Sequence, residues 1–166
     1  SMLASIDSDA PALFPDTGPA TVLEALQDPS VAGASDQLIL NVDAMHTLAF
    51  RLSGTRILGF YEHHTALLDQ IEIERLTERF ISGTLTHEEV FSQHGHGVYY
   101  VDAIPVQFPL LAVTGSQRDK LRGSRLHAHV PAPHGDVMIS GCYGLVQAFA
   151  GRFLNNRQEI ESALTT

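Results

Sequence analysis

The chain has 166 residues, of which 44% are hydrophobic and 17% are charged, and its formal net charge is −9. This composition predicts one globular domain with a substantial core, and the acidic charge argues against nucleic acid as a partner. No apolar run approaches the ~20 residues of a membrane span, and the single cysteine, Cys142, excludes intramolecular disulfides and cysteine-only metal sites. We therefore expect a cytoplasmic protein that has no membrane contact.

The N-terminal region opens loosely and then forms one short helix. We expect a disordered segment over 1–12, in which Ser1 before Met2 is a remnant of cloning. Pro19 in a first turn predicts a helix that stops at Asp28-Pro29. A single domain is expected over 13–154, followed by a polar tail over 155–166 that forms a short amphipathic helix or a frayed end.

The next segment contains three short apolar runs rich in β-branched and aromatic residues. Tight turns at Asp43-Ala44-Met45 and Ser53-Gly54 separate them, which predicts three antiparallel strands over 38–42, 47–52 and 56–61. A helix is expected from Thr65 to Gly83, since Ile73, Leu76 and Phe80 recur at helical spacing, with further apolar cover from Leu68 and Ile71. Thr86-His87-Glu88-Glu89 is a capping box that begins a further one or two turns.

The second half of the chain alternates between strand and helix patterns. The residues Val98–Val101 fit either a short strand or an insertion. Further on, the pattern predicts a strand over 110–113, a helix from Ser116 to about Gly123, a strand over 125–130 and a last helix over 137–151. Gly141 and Gly144 would let this last helix approach a neighbour closely.

This order of elements predicts a mixed α/β fold. Three antiparallel strands followed by two parallel strands, reached through helical crossovers, give a five-stranded sheet with helices on both faces. The order resembles the ribonuclease H-like fold, which is also the repeated lobe of the actin, hexokinase and sugar-kinase superfamily. The resemblance implies that ATP and magnesium are cofactors.

Two segments resemble the nucleotide motifs of that superfamily. The hairpin "NVDAMHTLAF" stands where the phosphate hairpin is expected, although Asp43 would repel a phosphate unless a metal intervenes. A plain hairpin with an Asx turn is the alternative. The junction "LLAVTGSQRDKL" resembles the strand–glycine–helix motif that holds adenosine. The candidate nucleotide-binding residues are Asp43, His46, Thr47, Thr114, Gly115, Ser116 and Gln117.

Histidines and one carboxylate cluster around the end of the third predicted strand. Glu62 and His63 are the candidate catalytic residues, since a histidine there can act as a general base whose tautomer the carboxylate fixes. His64, His94 and His96 are the candidate ligands of a transition metal. Adjacent strand residues point to opposite faces, so at most two of Glu62, His63 and His64 face one site. Solvated polar loops with a helix cap at Thr65 are the alternative.

Several motifs together resemble one uncharacterised prokaryotic family, known as "putative pyruvate formate-lyase-activating enzyme". The resemblance runs from about Pro11 to Gly151 and rests on "PALFPDTGPATVLEAL", "LILNVDAMHTLAF", "GFYEHHTALL", "GTLTHEEVF", "GHG" and "APHGDVMISGCYGLVQA". It implies a longer protein with an N-terminal lobe as the partner of this one. Members read Asn-x-Gly-Asn where this chain has Asn41-Val42-Asp43-Ala44. A radical enzyme of that name needs three cysteines, so no iron–sulfur cluster is expected here.

Three functions follow from these patterns. The first is the C-terminal lobe of an actin- or sugar-kinase-like protein that binds a small molecule or nucleotide. The second is a histidine-rich metal-binding or regulatory domain on the same fold, without phosphoryl transfer. The third is a metal-dependent nuclease that uses Asp43, Glu62, Asp102 and Asp136, which the acidic charge opposes.

Overall fold

Helices and strands cover most of the residues that the computed structural model describes, which are 13, 15–105, 107–133, 140–153 and 157–164. The expected disordered segment over 1–12 lies outside them. The strands are β1 Gln37–Val42, β2 His46–Ser53, β3 Arg56–His64, β4 Gly97–Tyr100 and β5 Leu110–Thr114. The helices are α1 Thr17–Ala25, α2 Pro29–Ala32, α3 Gln70–Ile81, α4 His87–Ser92, α5 Ser140–Phe153 and α6 Arg157–Leu164. Two short 3₁₀ turns span Thr65–Leu67 and Arg118–Leu121.

The five strands form one mixed sheet in the order β4-β3-β2-β1-β5. The pairs β1–β2, β2–β3 and β3–β4 are antiparallel, and β1–β5 is parallel. The predicted mixed α/β fold with a five-stranded sheet is therefore confirmed. The strand pairing aligns Glu62 on β3, Leu48 on β2, Asn41 on β1 and Thr114 on β5 in one row across the sheet.

The prediction of a second parallel strand over 125–130 is wrong. This segment makes one isolated parallel bridge, between Ala112 and His129. The Val113 amide donates to the His129 carbonyl oxygen and the His129 amide donates to the Leu111 carbonyl oxygen, each at 2.8 Å. His127 has a φ of 46°, a left-handed conformation that interrupts an extended strand. The sheet is completed instead by β4, which lies in the segment whose pattern also fits an insertion.

The predicted helix from Ser116 to Gly123 is also wrong, because only the 3₁₀ turn Arg118–Leu121 forms there. Gly115 has a φ of 97° and Gly123 a φ of 78°, so two left-handed residues bound the segment. The short segment between them can form too few α-helical hydrogen bonds to offset the cost of nucleating a helix. A tighter 3₁₀ turn forms instead.

The helix α3 begins later than its apolar pattern predicts. Thr65 lies in a 3₁₀ turn, and Asp69 caps the helix by accepting a 2.9 Å bond from the Glu72 amide. Ile71 is 69% exposed, so it gives none of the apolar cover expected from it. The predicted core positions of the helix are buried, namely Ile73, Leu76 and Phe80.

Helices cover both faces of the sheet, as predicted. On one face, Leu38, Leu40 and Val42 of β1 join the core formed with α3. On the other face, Ile39 and Phe50 pack with α1 and α2. The helix α5 lies against α1 at Gly144, where a Cβ atom would overlap the carbonyl oxygen of Ala20. Gly144 therefore provides the predicted close approach, whereas Gly141 faces open space.

Asp36 and Arg51 form a buried ion pair beside the sheet. The Arg51 side chain is fully buried, and its Nε and Nη2 each donate a 2.6 Å bond to the Asp36 carboxylate. Nη2 also donates to the carbonyl oxygen of Gln107 at 3.0 Å. The pair therefore ties β2 to the segments that precede β1 and β5.

Candidate metal centre

Three histidines meet where β2 begins and where β3 ends. His46 is the first residue of β2 and is paired with His64, the last residue of β3. Gly97 opens β4 opposite Glu62, and the His96 amide donates to the Glu62 carbonyl oxygen at 3.0 Å. The strand pairing therefore brings His96 to the same end of the sheet as the other two histidines.

The three imidazole rings are arranged closely enough to share one ion. The ring centroids lie 5.1 Å apart for His46–His64, 5.1 Å for His46–His96 and 4.6 Å for His64–His96. One ring nitrogen from each lies within 4.8 Å of the others. Zinc–nitrogen bonds of 2.0–2.1 Å in a tetrahedron place ligand nitrogens about 3.3 Å apart, so small side-chain rotations complete the site. His46 and His64 are half-buried and His96 is exposed, so an ion can enter from solvent.

Glu62 lies on the same face of β3 as His64, two residues away. Its Oε1 is 3.6 Å from Nδ1 of His46. A carboxylate in this position attracts a cation and can orient the imidazole that it approaches. Glu62 therefore lies beside the three histidines, at the edge of the site that they form.

A cavity of about 370 Å³ adjoins the histidines. His46 and Glu62 form part of its wall, and Asn41, Asp43 and Asp16 line the rest of its polar surface. Asp16 also caps α1 by accepting a 2.6 Å bond from the Thr17 amide. Three carboxylates thus face one small space beside the candidate metal site.

Asp43 is held in place by the segment after β5. The Ser116 hydroxyl donates to the Asp43 carboxylate, and this bond is the main cause of the lowered pKa of Asp43. Burial opposes the shift, and the Ala44 amide, which donates at 2.8 Å, supports it. Asp43 is therefore a fixed negative charge at the cavity wall.

The predicted adenosine junction meets the predicted phosphate hairpin. The Gln117 amide donates to the Val42 carbonyl oxygen at 2.9 Å, and the Thr114 hydroxyl donates to Asn41 Oδ1 at 3.1 Å. Gly115 is in the left-handed region and lies against the Val42 backbone, where a side chain would clash. Without the predicted helix, the junction offers a ligand no helix N-terminus.

Thr47 lies on the other face of the sheet. It is fully buried, and its hydroxyl is 2.9 Å from the hydroxyl of Thr65. Among the predicted nucleotide-binding residues, Asp43 and His46 line the cavity, and Ser116 contacts Asp43.

His63 is separated from Glu62 by the strand itself. It is 1% exposed, points to the α3 face of the sheet and packs against Gly95. Burial lowers the pKa of His63, which favours a neutral ring. The structure therefore does not bring the two predicted catalytic residues together.

Two further predicted groups lie apart from the centre. His94 is exposed, has a φ of 65° and is not a member of the histidine group. Among the residues of the nuclease hypothesis, Asp102 pairs with Arg56 at the opposite end of β3, and Asp136 lies outside the described residues. Of the described residues of that set, only Asp43 and Glu62 share the cavity.

The sequence pattern places His46 in a phosphate hairpin and not at a metal site. Strand pairing is the signal that could have placed it at the metal site. The Ser53-Gly54 turn joins β2 and β3 as an antiparallel hairpin, so the start of β2 lies beside the end of β3 and His46 faces His64.

A protein-family model described as "Putative pyruvate format-lyase activating enzyme (DUF1786)" matches residues 1–120 of the 166 residues. The chain belongs to this family. No curated protein and no solved structure matches the chain significantly. Glu62 and the three histidines of the metal centre all lie within the matched part of the family sequence.

The family's description implies radical chemistry on an iron–sulfur cluster, and the residues of this chain do not fit such a cluster. Clusters of this kind are held by several cysteine thiolates, and the one cysteine here, Cys142, is exposed. We derive no step through a cluster. In the described part of the chain, none of the helices is long and apolar enough to cross a membrane.

Proposed function

We propose that this chain is a metal-binding domain that holds one divalent transition metal between His46, His64 and His96. The observation that carries the proposal is that three ring nitrogens, from three different strand ends, lie within 4.8 Å of one another. Neither a helix cap nor a solvated polar loop requires three imidazole nitrogens to lie so close together. Imidazole suits zinc, nickel, copper and iron, and zinc accepts three histidines readily.

Charge supports the same proposal. The formal net charge of the chain is −9, and the carboxylates of Glu62, Asp43 and Asp16 lie at the adjoining cavity. A negative potential raises the local concentration of a cation and opposes the binding of an anion. This favours a metal ion over a free phosphate as the first ligand of the site.

The proposal predicts one zinc ion per chain after loading and dialysis. His96→Ala removes a ligand and should weaken zinc binding by roughly 100-fold or more, since even loss of an outer-shell partner costs about 10–100-fold. His94→Ala is the matched control, because it lies in the same loop outside the histidine group. Elemental analysis and competition with a chromophoric chelator give both quantities. Equal zinc binding by the two variants would contradict the proposal.

Nucleotide binding is the second candidate. In this proposal the chain is the C-terminal lobe of an actin- or sugar-kinase-like protein with a ribonuclease H-like fold, and it acts in the cytoplasm together with an N-terminal lobe. One contact favours it, since Ser116 of the adenosine junction bonds Asp43 of the phosphate hairpin. The carboxylates of the cavity disfavour it unless magnesium is bound between them and the phosphates.

The nucleotide proposal is tested on a protein that carries both lobes. ATP with magnesium should raise its melting temperature above that with magnesium alone, and Gly115→Val should abolish the difference. A melting temperature that ATP leaves unchanged in the two-lobed protein would reject this candidate, whatever the result with zinc.

A further inference from the structure

The ligand set of the metal centre distinguishes a structural site from a catalytic one. Structural zinc sites are closed by four protein ligands, whereas catalytic sites use three and keep one position for water. Among the described residues, the group that can hold an ion contains three histidines and no fourth ligand. A zinc ion bound there keeps its double positive charge, since the three imidazoles are neutral ligands.

We infer that this centre is hydrolytic, and that a zinc-bound water cleaves a small ester or amide without anionic groups in the adjoining cavity. The inference rests on the proposed metal site. The cavity and the centre share His46 and Glu62, so a substrate in the cavity lies beside the ion. A volume of about 370 Å³ admits a small molecule.

The charge of the cavity selects the class of substrate. Asp16, Asp43 and Glu62 line it, and their negative charges together exceed the double positive charge of the bound ion, so a phosphate ester or a carboxylate-bearing acyl compound meets net repulsion. A neutral or cationic acyl compound does not. A bound zinc ion supplies no redox chemistry of its own, and it activates a bound water for attack on an electrophilic carbonyl carbon.

Glu62 is the residue placed to move the proton. The zinc lowers the pKa of its bound water, and the Glu62 carboxylate accepts one proton from it as the oxygen attacks the carbonyl carbon. The new carbon–oxygen bond forms, and the bond from carbon to the leaving oxygen or nitrogen breaks. Glu62 returns the proton to the leaving group. No oxidant or further reactant is needed.

If Glu62 only orients His46, its replacement changes zinc affinity and rate in a different way. Because its Oε1 is 3.6 Å from His46 Nδ1, the carboxylate could act only by orienting that ligand. A positioning residue changes the affinity for zinc by about 10–100-fold. A proton acceptor leaves the zinc affinity nearly unchanged and lowers the rate by about 10²–10⁴-fold at saturating zinc.

The experiment measures zinc stoichiometry first and then hydrolysis of 4-nitrophenyl acetate, a neutral ester. We expect the zinc-loaded protein to exceed both the metal-free protein and free zinc, and Glu62→Gln to lower kcat/KM by at least ~100-fold at full zinc occupancy. Glu88→Gln, an exposed carboxylate on α4, is the control and should keep the full rate. The anionic ester 4-nitrophenyl 4-sulfobenzoate, whose sulfonate cannot reach its own ester carbonyl, should react at least ~10-fold more slowly than the matched neutral ester 4-nitrophenyl benzoate.

Each contrary outcome has its own meaning. Stoichiometric zinc without a rate above free zinc overturns the hydrolytic inference and leaves the metal site standing. A Glu62→Gln variant that is fully active once loaded overturns the assignment of Glu62 as the proton acceptor. Equal rates with the two benzoate esters overturn the substrate class. Failure to bind zinc overturns the proposed function and this inference with it.

The open position has a readout that is independent of activity. Cobalt replaces zinc in such sites and gives visible absorption bands that depend on its ligands. Acetohydroxamate should change the spectrum of the cobalt-loaded protein and of loaded Glu62→Gln alike. A spectrum that acetohydroxamate leaves unchanged would show a closed, structural centre and would overturn the inference.

Discussion

Asp36→Ala is expected to lower the free energy of unfolding by about 3–5 kcal/mol, because it leaves the Arg51 guanidinium buried without a counter-charge. Arg51 is fully buried, and the Asp36 carboxylate accepts both of its short bonds. Water cannot replace the lost carboxylate at a site of this depth. Urea denaturation followed by circular dichroism measures the change.

The control for this variant is an ion pair of the same kind at the surface. Arg56 and Asp102 pair with side chains that are 69% and 42% exposed, so Asp102→Ala should cost less than about 1 kcal/mol. The double variant Asp36→Ala, Arg51→Met should recover part of the loss, since no charge is then left buried. Similar losses for Asp36→Ala and Asp102→Ala would contradict this account of the pair.

Zinc is expected to stabilise the folded chain by about 4 kcal/mol when its free concentration is 1,000 times its dissociation constant. The ligands lie at the start of β2, at the end of β3 and directly before the edge strand β4. An ion between them links three strand ends that are far apart in the unfolded chain. Urea denaturation at fixed free zinc measures the gain.

The same titration on two variants decides where the stabilising ion binds. His94→Ala should show the full gain in unfolding free energy, because its ring is outside the group. His64→Ala should keep at most about 1.4 kcal/mol of the gain at that zinc concentration, because a 100-fold weaker site is then at only about 10 times its dissociation constant. A full gain of about 4 kcal/mol in His64→Ala would place the ion elsewhere in the chain and contradict the proposed centre.

Much of the sheet could be predicted, because the apolar runs and the turns that specify it are adjacent in the sequence. The turn at Asp43-Ala44-Met45 and the Ser53-Gly54 turn lie between apolar runs, which is sufficient to predict antiparallel neighbours. The segment over 125–130 alternates polar and apolar residues, which also predicts a strand, but His127 adopts a left-handed conformation that its residue type does not indicate. The pattern therefore predicts a strand where one bridge forms.

The metal centre could be predicted only in part, because its residues are far apart in the sequence and are brought together by the strand pairing. The alternation along β3 separates His63 from Glu62 and His64, which is why only part of the "EHH" motif was expected to face one site. His96 reaches the others because β4 pairs with β3. Because the sequence of Val98–Val101 fits either a strand or an insertion, it does not fix the position of His96, and His94 is an equal candidate.

The side chains of this chain differ from those that the family's description requires. Thiolates that could hold an iron–sulfur cluster are lacking, since Cys142 is the single cysteine, whereas three imidazoles converge at the sheet. The ligand types favour zinc-like ions over iron–sulfur chemistry. The metal proposal therefore rests on the side chains that this chain contains.

X-ray absorption at the zinc edge of the loaded protein identifies the ligands of the ion. If His46, His64 and His96 hold it, the spectrum shows three imidazole nitrogens at 2.0–2.1 Å with one further oxygen or nitrogen, and two imidazoles in His96→Ala. A sulfur atom at about 2.3 Å would instead assign the ion to Cys142. That result, or a wild-type spectrum without imidazole scattering, would contradict a metal centre formed by His46, His64 and His96.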